Sequence, residues 1–164
     1  MRKLPILAVL TSFVSILPLC LLAQNSPQDY LRVHNDERTR VGVKPLVWDS
    51  VLESHANNFL SKHIEDCMRV RYIDPSPFTR NMLTSGSTKT LTGEDAVAWW
   101  VAQKQNYDYE SNSCIDGTLR CLTYTQVVSK ASIYLGCARV ECNNNGGTIV
   151  MCYYDPPGNH GHPY

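Results

Sequence analysis

The 164-residue sequence predicts a single α+β domain carrying three disulfides, and three observations lead there. Helix caps and helical spacing of apolar residues fill the first two thirds; short runs of β-branched and aromatic residues fill the last third; an even set of cysteines follows an apolar leader. The composition agrees. Fifteen basic groups balance fifteen acidic ones, 43% of residues are hydrophobic and 18% charged, which excludes a disordered tail or a nucleic-acid-binding protein.

Arg2 and Lys3 precede an apolar run from Leu4 to Ala23, interrupted only by small polar residues and Pro18. That is the pattern of a secretory signal peptide over residues 1–23. Pro18 and the polar start Gln24-Asn25-Ser26 favour a cleaved leader over a membrane span, with cleavage after Ala23 and the bond after Leu22 as an alternative. Loss of the leader takes Arg2, Lys3 and Cys20 with it, leaving residues 24–164 with 13 basic and 15 acidic groups, a formal charge of −2. Such a surface suits a monomer without a nucleic-acid or membrane partner.

Ser26-Pro27-Gln28-Asp29 puts a capping serine before a proline suited to the first helical turn and an acid three residues on, so a helix should run from here to about Arg40. Gly42 and Pro45 break it. Asp49 can cap a second helix, whose Val51, Leu52, His55, Ala56, Phe59 and Leu60 share one stripe. His55 and His63 flank this helix without a third ligand, and packing or surface roles fit them better than metal binding. From Cys67 to Thr92 the chain is rich in breakers (Pro75, Pro77, Gly86), which predicts a long loop with at most one helical turn. Thr92-Gly93-Glu94-Asp95 is another capping box, opening a third helix whose adjacent Trp99 and Trp100 are expected to anchor the core. Strands are expected at Tyr124–Ser129, Ser132–Val140 and Thr148–Tyr154, the last two joined by the hairpin turn Asn143-Asn144-Asn145-Gly146-Gly147.

The cysteines can be paired in part by register. Residues facing each other across an antiparallel hairpin have a constant sum of positions, and a turn centred on Asn144 and Asn145 sets Cys137 opposite Cys152. Cys114 and Cys121 close a short loop through Gly117, which leaves Cys67 with Cys142, one of the fifteen possible connectivities.

The blocks Gln28-Asp29-Tyr30-Leu31, His34-Asn35, Leu46-Val47-Trp48-Asp49, Asp66-Cys67, Leu91-Thr92-Gly93, Trp100-Val101 and Asn106-Tyr107-Asp108-Tyr109 stand in this order. They are followed by Tyr124-Thr125-Gln126-Val127-Val128, Leu135-Gly136-Cys137-Ala138-Arg139 and Cys152-Tyr153-Tyr154-Asp155-Pro156-Pro157-Gly158-Asn159. This set resembles the plant pathogenesis-related class 1 proteins of the CAP superfamily (cysteine-rich secretory proteins, antigen 5, pathogenesis-related 1). The resemblance implies a CAP-type α-β-α sandwich with a small antiparallel sheet between helices, the same disulfide pairing, and a secreted protein of defence or stress in the apoplast.

It also implies a cleft in which two histidines and two glutamates bind a divalent metal in some members. By alignment those places are taken here by Arg71, Arg80, Gln103 and Thr123. Arginine offers no lone pair and repels a cation, glutamine is a weak neutral ligand, and threonine is no imidazole, so neither a zinc site nor an acid-base pair can be assembled from them. No metal or other cofactor is expected. There is also no nucleophile-elbow pattern and no unpaired cysteine in residues 24–164, which argues against an enzyme, and a metal-dependent hydrolase is disfavoured. Two binding features remain. Trp100, Tyr107 and Tyr109 match a segment proposed in the family as part of a sterol-binding region, which implies an apolar small-molecule partner. Residues 156–164 resemble the tail that some members release as a defence peptide, with the cut between Asp155 and Pro156; Tyr153 stands in place of the family's asparagine and the tail is about two residues short. Without processing it is an extended, proline-stiffened tail.

Overall fold

The structure, a computed structural model, describes residues 25–65, 67, 70, 76–86, 90–115, 117–143 and 146–164. The leader, Arg71 and the hairpin centre Asn144-Asn145 lie outside the described residues.

Local signals start each long helix. α1 (Pro27–Arg40) opens with Pro27 in the first turn and a reciprocal capping box between Ser26 and Asp29. α2 (Ser50–Ser61) begins where the Asp49 carboxylate accepts from the Val51 and Leu52 amides. Thr92 and Asp95 form the same box ahead of α3 (Gly93–Ala102), which tightens into a 3-10 turn over Gln103–Asn106. A short pair, β3 (Tyr107–Asp108) with β4 (Ser113–Cys114), leads to α4 (Cys121–Val127).

The main sheet has four strands in the order β1 (Val47–Trp48), β5 (Tyr134–Glu141), β6 (Thr148–Asp155), β2 (Thr79–Thr84). Cys137 faces Cys152 across the β5–β6 hairpin, in the register set by the turn. Disulfides join Cys67 to Cys142, Cys114 to Cys121 and Cys137 to Cys152.

Side chains alternate across the central strands and make two cores. Leu135, Cys137, Val150, Cys152 and Tyr154 meet Tyr30 of α1, Val97 and Trp100 of α3 and Tyr124 and Val127 of α4. On the other face Ala138, Ile149, Met151 and Tyr153 meet Leu52, Ala56 and Leu60 of α2. The result is an α-β-α sandwich.

Four expectations are corrected. Tyr124–Ser129 is not a strand, since α4 covers Cys121–Val127. Its residues from Tyr124 to Val127 are all buried, so no helical stripe marks the sequence, and packing overrides the β-branched composition. The hydroxyls of Thr123 and Thr125 bond back to the Arg120 and Leu122 carbonyls, which suits threonine to the helix. The loop from Cys67 to Thr92 contains β2, a six-residue edge strand whose polar Thr-Arg-Asn start hides it. The sheet is not purely antiparallel, because β1 runs parallel to β5. Of the two tryptophans only Trp100 is in the core; Trp99 is 40% exposed.

Candidate functional site

Trp100 sits on the inner face of α3 with no exposed surface, and its indole N–H has no partner among the described residues. Tyr107 packs against the same core, its ring centroid 6.0 Å from that of Tyr124 and its hydroxyl donating to Asn112 Oδ1 at 2.8 Å. Burial pushes the Tyr107 phenol up to about 12, so it stays a donor at any physiological pH. Tyr109 lies further out, in edge contact with Tyr107 at 6.4 Å. The three aromatics therefore form a line from core to surface rather than the walls of one pocket.

The C-terminal segment covers the outer end of that line. The Tyr164 ring stacks on Tyr109 with centroids 5.1 Å apart, and His162 donates from Nε2 to the Tyr109 carbonyl at 3.0 Å. Further back the segment is stitched to the domain through its backbone and small polar groups. The Lys130 amide donates to the Pro163 carbonyl at 2.6 Å, the Gly158 amide to Thr79 Oγ1 at 3.2 Å and the Ser132 hydroxyl to the Pro156 carbonyl at 2.9 Å. Thr125 donates to Asn159 Oδ1 at 2.6 Å. Gly158 is buried against the Gln126 amide and Ser129, where any side chain would collide. Residues 156–164 have no regular secondary structure, yet Pro156, Gly158, Asn159, His162, Pro163 and Tyr164 each bond to the domain.

Tyr164 also forms one wall of an apolar groove of about 850 Å³. Val41, Val43 and Pro45 from the turn after α1 make its floor with Val47 and Ile133, and Lys44 and Lys130 bring two cations to it. Val47 and Ile133 are about half exposed, at 54% and 49%. Sequence reasoning missed this groove, because its residues look like a helix-breaking turn; the signal available was valine at 41, 43 and 47 in a segment broken by Gly42 and Pro45.

A second cleft, of about 710 Å³, contains Arg80 and Thr123 together with Asn81, Trp99, Leu119, Arg120 and Leu122. Asn81 ties its two sides by donating to the Thr123 carbonyl at 2.8 Å and to the Tyr154 hydroxyl at 3.2 Å. Arg80 lies over the Phe59 ring at 5.4 Å. Gln103 does not line the cleft: it is buried, donating to the Trp99 carbonyl at 3.2 Å and accepting from Asn106 at 3.1 Å. The Thr123 hydroxyl is turned to Arg120 O. A guanidinium, a satisfied amide and a satisfied hydroxyl do not make a donor set for zinc, and among the described residues no cluster of three or more His, Cys, Asp or Glu could hold a metal.

Beneath both clefts lies a buried polar axis. His34 donates from Nδ1 to the Tyr30 carbonyl at 2.7 Å and accepts the Tyr154 hydroxyl at Nε2, 2.9 Å away. Desolvation lowers its pKa to about 4, so the ring is neutral at pH 7. Arg38, 1% exposed, spends its guanidinium on the carbonyls of Lys44, Val127, Ser129 and Ser132 at 2.7 to 3.0 Å. Burial lowers its pKa to about 10, which leaves it charged.

An α-β-α sandwich with this hairpin, these three bridges and a docked C-terminal segment defines a class. The chain belongs to the CAP, or cysteine-rich secretory protein, family, whose model matches residues 31–154. It is 44% identical over 155 residues to pathogenesis-related protein 1 of Arabidopsis thaliana, covering 94% of this chain and 91% of that one. Against pathogenesis-related protein 1B of Nicotiana tabacum the identity is 48% over 137 residues, covering 84% and 79% of the two chains. The venom allergen-like protein 4 of Schistosoma mansoni shares the fold with a TM-score of 0.60 at 23% identity, over 84% of this chain and 92% of that one. This is a plant pathogenesis-related CAP protein. Among the described residues no helix is long and apolar enough to cross a membrane.

Proposed function

We propose that this chain is a secreted, non-enzymatic CAP protein of plant defence or stress, acting in the apoplast as a monomer that binds an apolar ligand such as a sterol. The leader in residues 1–23 and three disulfides support the extracellular route. Arg71, Arg80, Gln103 and Thr123 stand at the family's metal positions, and the chemistry of that set supports a function without metal or acid-base catalysis.

The observation that carries ligand binding is the groove of Val41, Val43, Pro45, Val47, Ile133 and Tyr164, apolar and about 850 Å³ in volume, a size suited to a small hydrophobic molecule. Of the three aromatics Trp100, Tyr107 and Tyr109, it is Tyr109 that supports the groove, since it holds Tyr164 by stacking and by a hydrogen bond to its main-chain oxygen. Titration of residues 24–164 with a fluorescent sterol tests this. Ile133→Asp, at a half-exposed position, should weaken binding at least about tenfold without loss of the fold. An absence of sterol binding removes the reading, and unchanged affinity in the Ile133 variant removes the site. Trp100→Ala is a poor probe, because emptying that core position costs about 3 to 5 kcal/mol.

The alternative reading, a precursor cut between Asp155 and Pro156, requires the docked segment to open first. Asp155 O accepts from the Ile133 amide and Pro156 O from Ser132, so the bond is held at both ends.

A further inference from the structure

Residues 156–164 continue from the domain through the Asp155–Pro156 bond, and the rest of what holds them is noncovalent. Two of these residues, Gly158 and Pro163, are buried. Gly158 enters a slot that admits no side chain: a Cβ there would stand 2.7 Å from the Gln126 amide and 2.8 Å from Ser129 Cβ. Gln126 is not free to withdraw, because it is itself buried and donates to Ser132 Oγ at 3.0 Å. At the second anchor the Pro163 carbonyl accepts from the Lys130 amide and the Tyr164 ring lies on Tyr109.

The stretch between the anchors is shaped to let both be reached. His160, Gly161 and His162 are exposed, and Asn159 and Gly161 take positive φ values of 63° and 74°, which turn the chain. The Asn159 side chain is read at the same time. Its Oδ1 accepts from the Thr125 hydroxyl at 2.6 Å and its Nδ2 donates to the Leu122 carbonyl at 3.3 Å.

A slot that fits only glycine, a paired asparagine amide and a Pro-Tyr anchor are sequence-selective contacts, and they do not use the covalent link. The link supplies effective concentration, about millimolar for a short connection. A segment docked about a hundred times more often than open at that concentration would bind with a Kd of about 10 µM once untethered. Pro156, Pro157 and Pro163 restrict the free peptide and so lower the cost of ordering it.

We propose that the domain is a binding module for a free peptide with the features of its own C-terminal segment: Gly-Asn at the first anchor and Pro-Tyr at the second. The chain's own segment is that ligand held in cis, and it keeps the site filled. One consequence rests on the precursor reading: a cut between Asp155 and Pro156 would leave the nonapeptide bound, so that its departure needs a separate dissociation step.

The test uses residues 24–164 carrying Gly158→Val, which closes the slot to the chain's own segment, and the synthetic peptide Pro-Pro-Gly-Asn-His-Gly-His-Pro-Tyr added in trans. Exchange of the Lys130 amide, read by NMR, reports occupancy. The substitution should speed that exchange at least about tenfold, and the peptide should restore the wild-type rate with half-saturation well below a millimolar. A peptide with valine for its first glycine should bind at least about tenfold more weakly, and the wild-type chain, its slot filled, should take up neither at these concentrations. Where Gly158→Val does not fold or leaves Lys130 protected, Pro163→Gly with Tyr164→Gly opens the slot instead. No restoration at a millimolar peptide, equal binding of the valine peptide, or equal binding to the wild-type chain would overturn the assignment. So would a wild-type dimer that exchanges its segments at micromolar concentration, which gives the slot to a second copy of the chain. Each of these outcomes is independent of whether the chain is cut, so loss of the precursor reading leaves the site standing.

Discussion

Tyr109 and Tyr164 are stacked, ring centroids 5.1 Å apart and planes inclined by 22°, while the Tyr109 hydroxyl donates to the main-chain oxygen of Tyr164 at 2.9 Å. The pair closes one end of the apolar groove and fastens the last residues of a segment that sequence alone reads as an extended tail. Both consequences can be measured.

Tyr109→Ala removes the stack and the hydrogen bond together. Each is worth about 1 kcal/mol, so the local opening of residues 156–164 should become roughly tenfold to thirtyfold more frequent. Hydrogen exchange and limited proteolysis of that segment read the effect, and Tyr109→Phe should show a smaller part of it. Equal exchange in wild type and Tyr109→Ala would mean that Gly158, Asn159 and Pro163 hold the segment without help from the aromatic pair.

How much of this was legible in the sequence depended on whether the causal interaction was local. Ser26, Asp49 and Thr92 satisfy amides two or three residues away, and all three helix starts stand where those residues put them. The β5–β6 register was equally local, fixed by one turn. β2 was not, because among the described residues its ladder partner is β6, some seventy residues later in the chain. α4 failed for the opposite reason: buried without a break from Tyr124 to Val127, it shows no periodicity there, and its Thr-Tyr-Thr-Gln-Val-Val run imitates a strand. At the candidate site, Arg80 and Thr123 were brought to one cleft while Gln103 turned inward and Arg71 lies outside the described residues. The groove beside Tyr164 was missed because it joins three segments distant in sequence, at positions 41–47, 130–133 and 164, and the valines at 41, 43 and 47 mark one of them alone.

His34 makes stability depend on pH in a definite direction. Its native pKa, about 4, lies below the ordinary histidine value of 6.5, chiefly because burial strips the imidazolium of water. Above pH 6.5 neither native nor unfolded state binds the proton and the neutral ring contributes fully. As pH falls from 6.5 toward 4 the unfolded state binds it first, and stability declines by an amount on the order of 3 kcal/mol in all. Urea midpoints should therefore fall more steeply with acidification for the wild type than for His34→Gln. Parallel slopes for the two proteins would show that other groups carry the acid sensitivity.

Gly136 marks the closest approach of α2 to the sheet. A Cβ there would fall on the backbone nitrogen of Glu53 and the Cβ of Leu52, and neither can swing aside because one is main chain and the other is fixed to it in the first turn of a helix packed on the sheet. Gly136→Ala should cost about 2 to 3 kcal/mol or prevent folding, read as a shift in the thermal midpoint. Gly42→Ala provides the contrast: nothing stands within 4 Å of the added methyl, so only the strain of its positive φ of 77° is felt, about 1 kcal/mol.

Arg38 joins the element ends that the groove and the docked segment depend on. Its four main-chain acceptors lie in the turn after α1, at the end of α4 and in residues 129–132, and the same stretch gives Lys130 to Pro163 and Ser132 to Pro156. Arg38→Met would fill most of the volume but leave buried carbonyls without donors, which predicts a loss of about 3 to 5 kcal/mol. Lysine has three donors on one atom and cannot span acceptors so widely spaced, so Arg38→Lys should lose at least about 2 kcal/mol. Because these carbonyls position the backbone that receives the C-terminal segment, hydrogen exchange in residues 156–164 should rise in both variants before global unfolding. If stability falls while exchange in that segment stays at the wild-type level, Arg38 holds the helices alone and the segment is anchored by Thr79, Thr125 and Tyr109 without it.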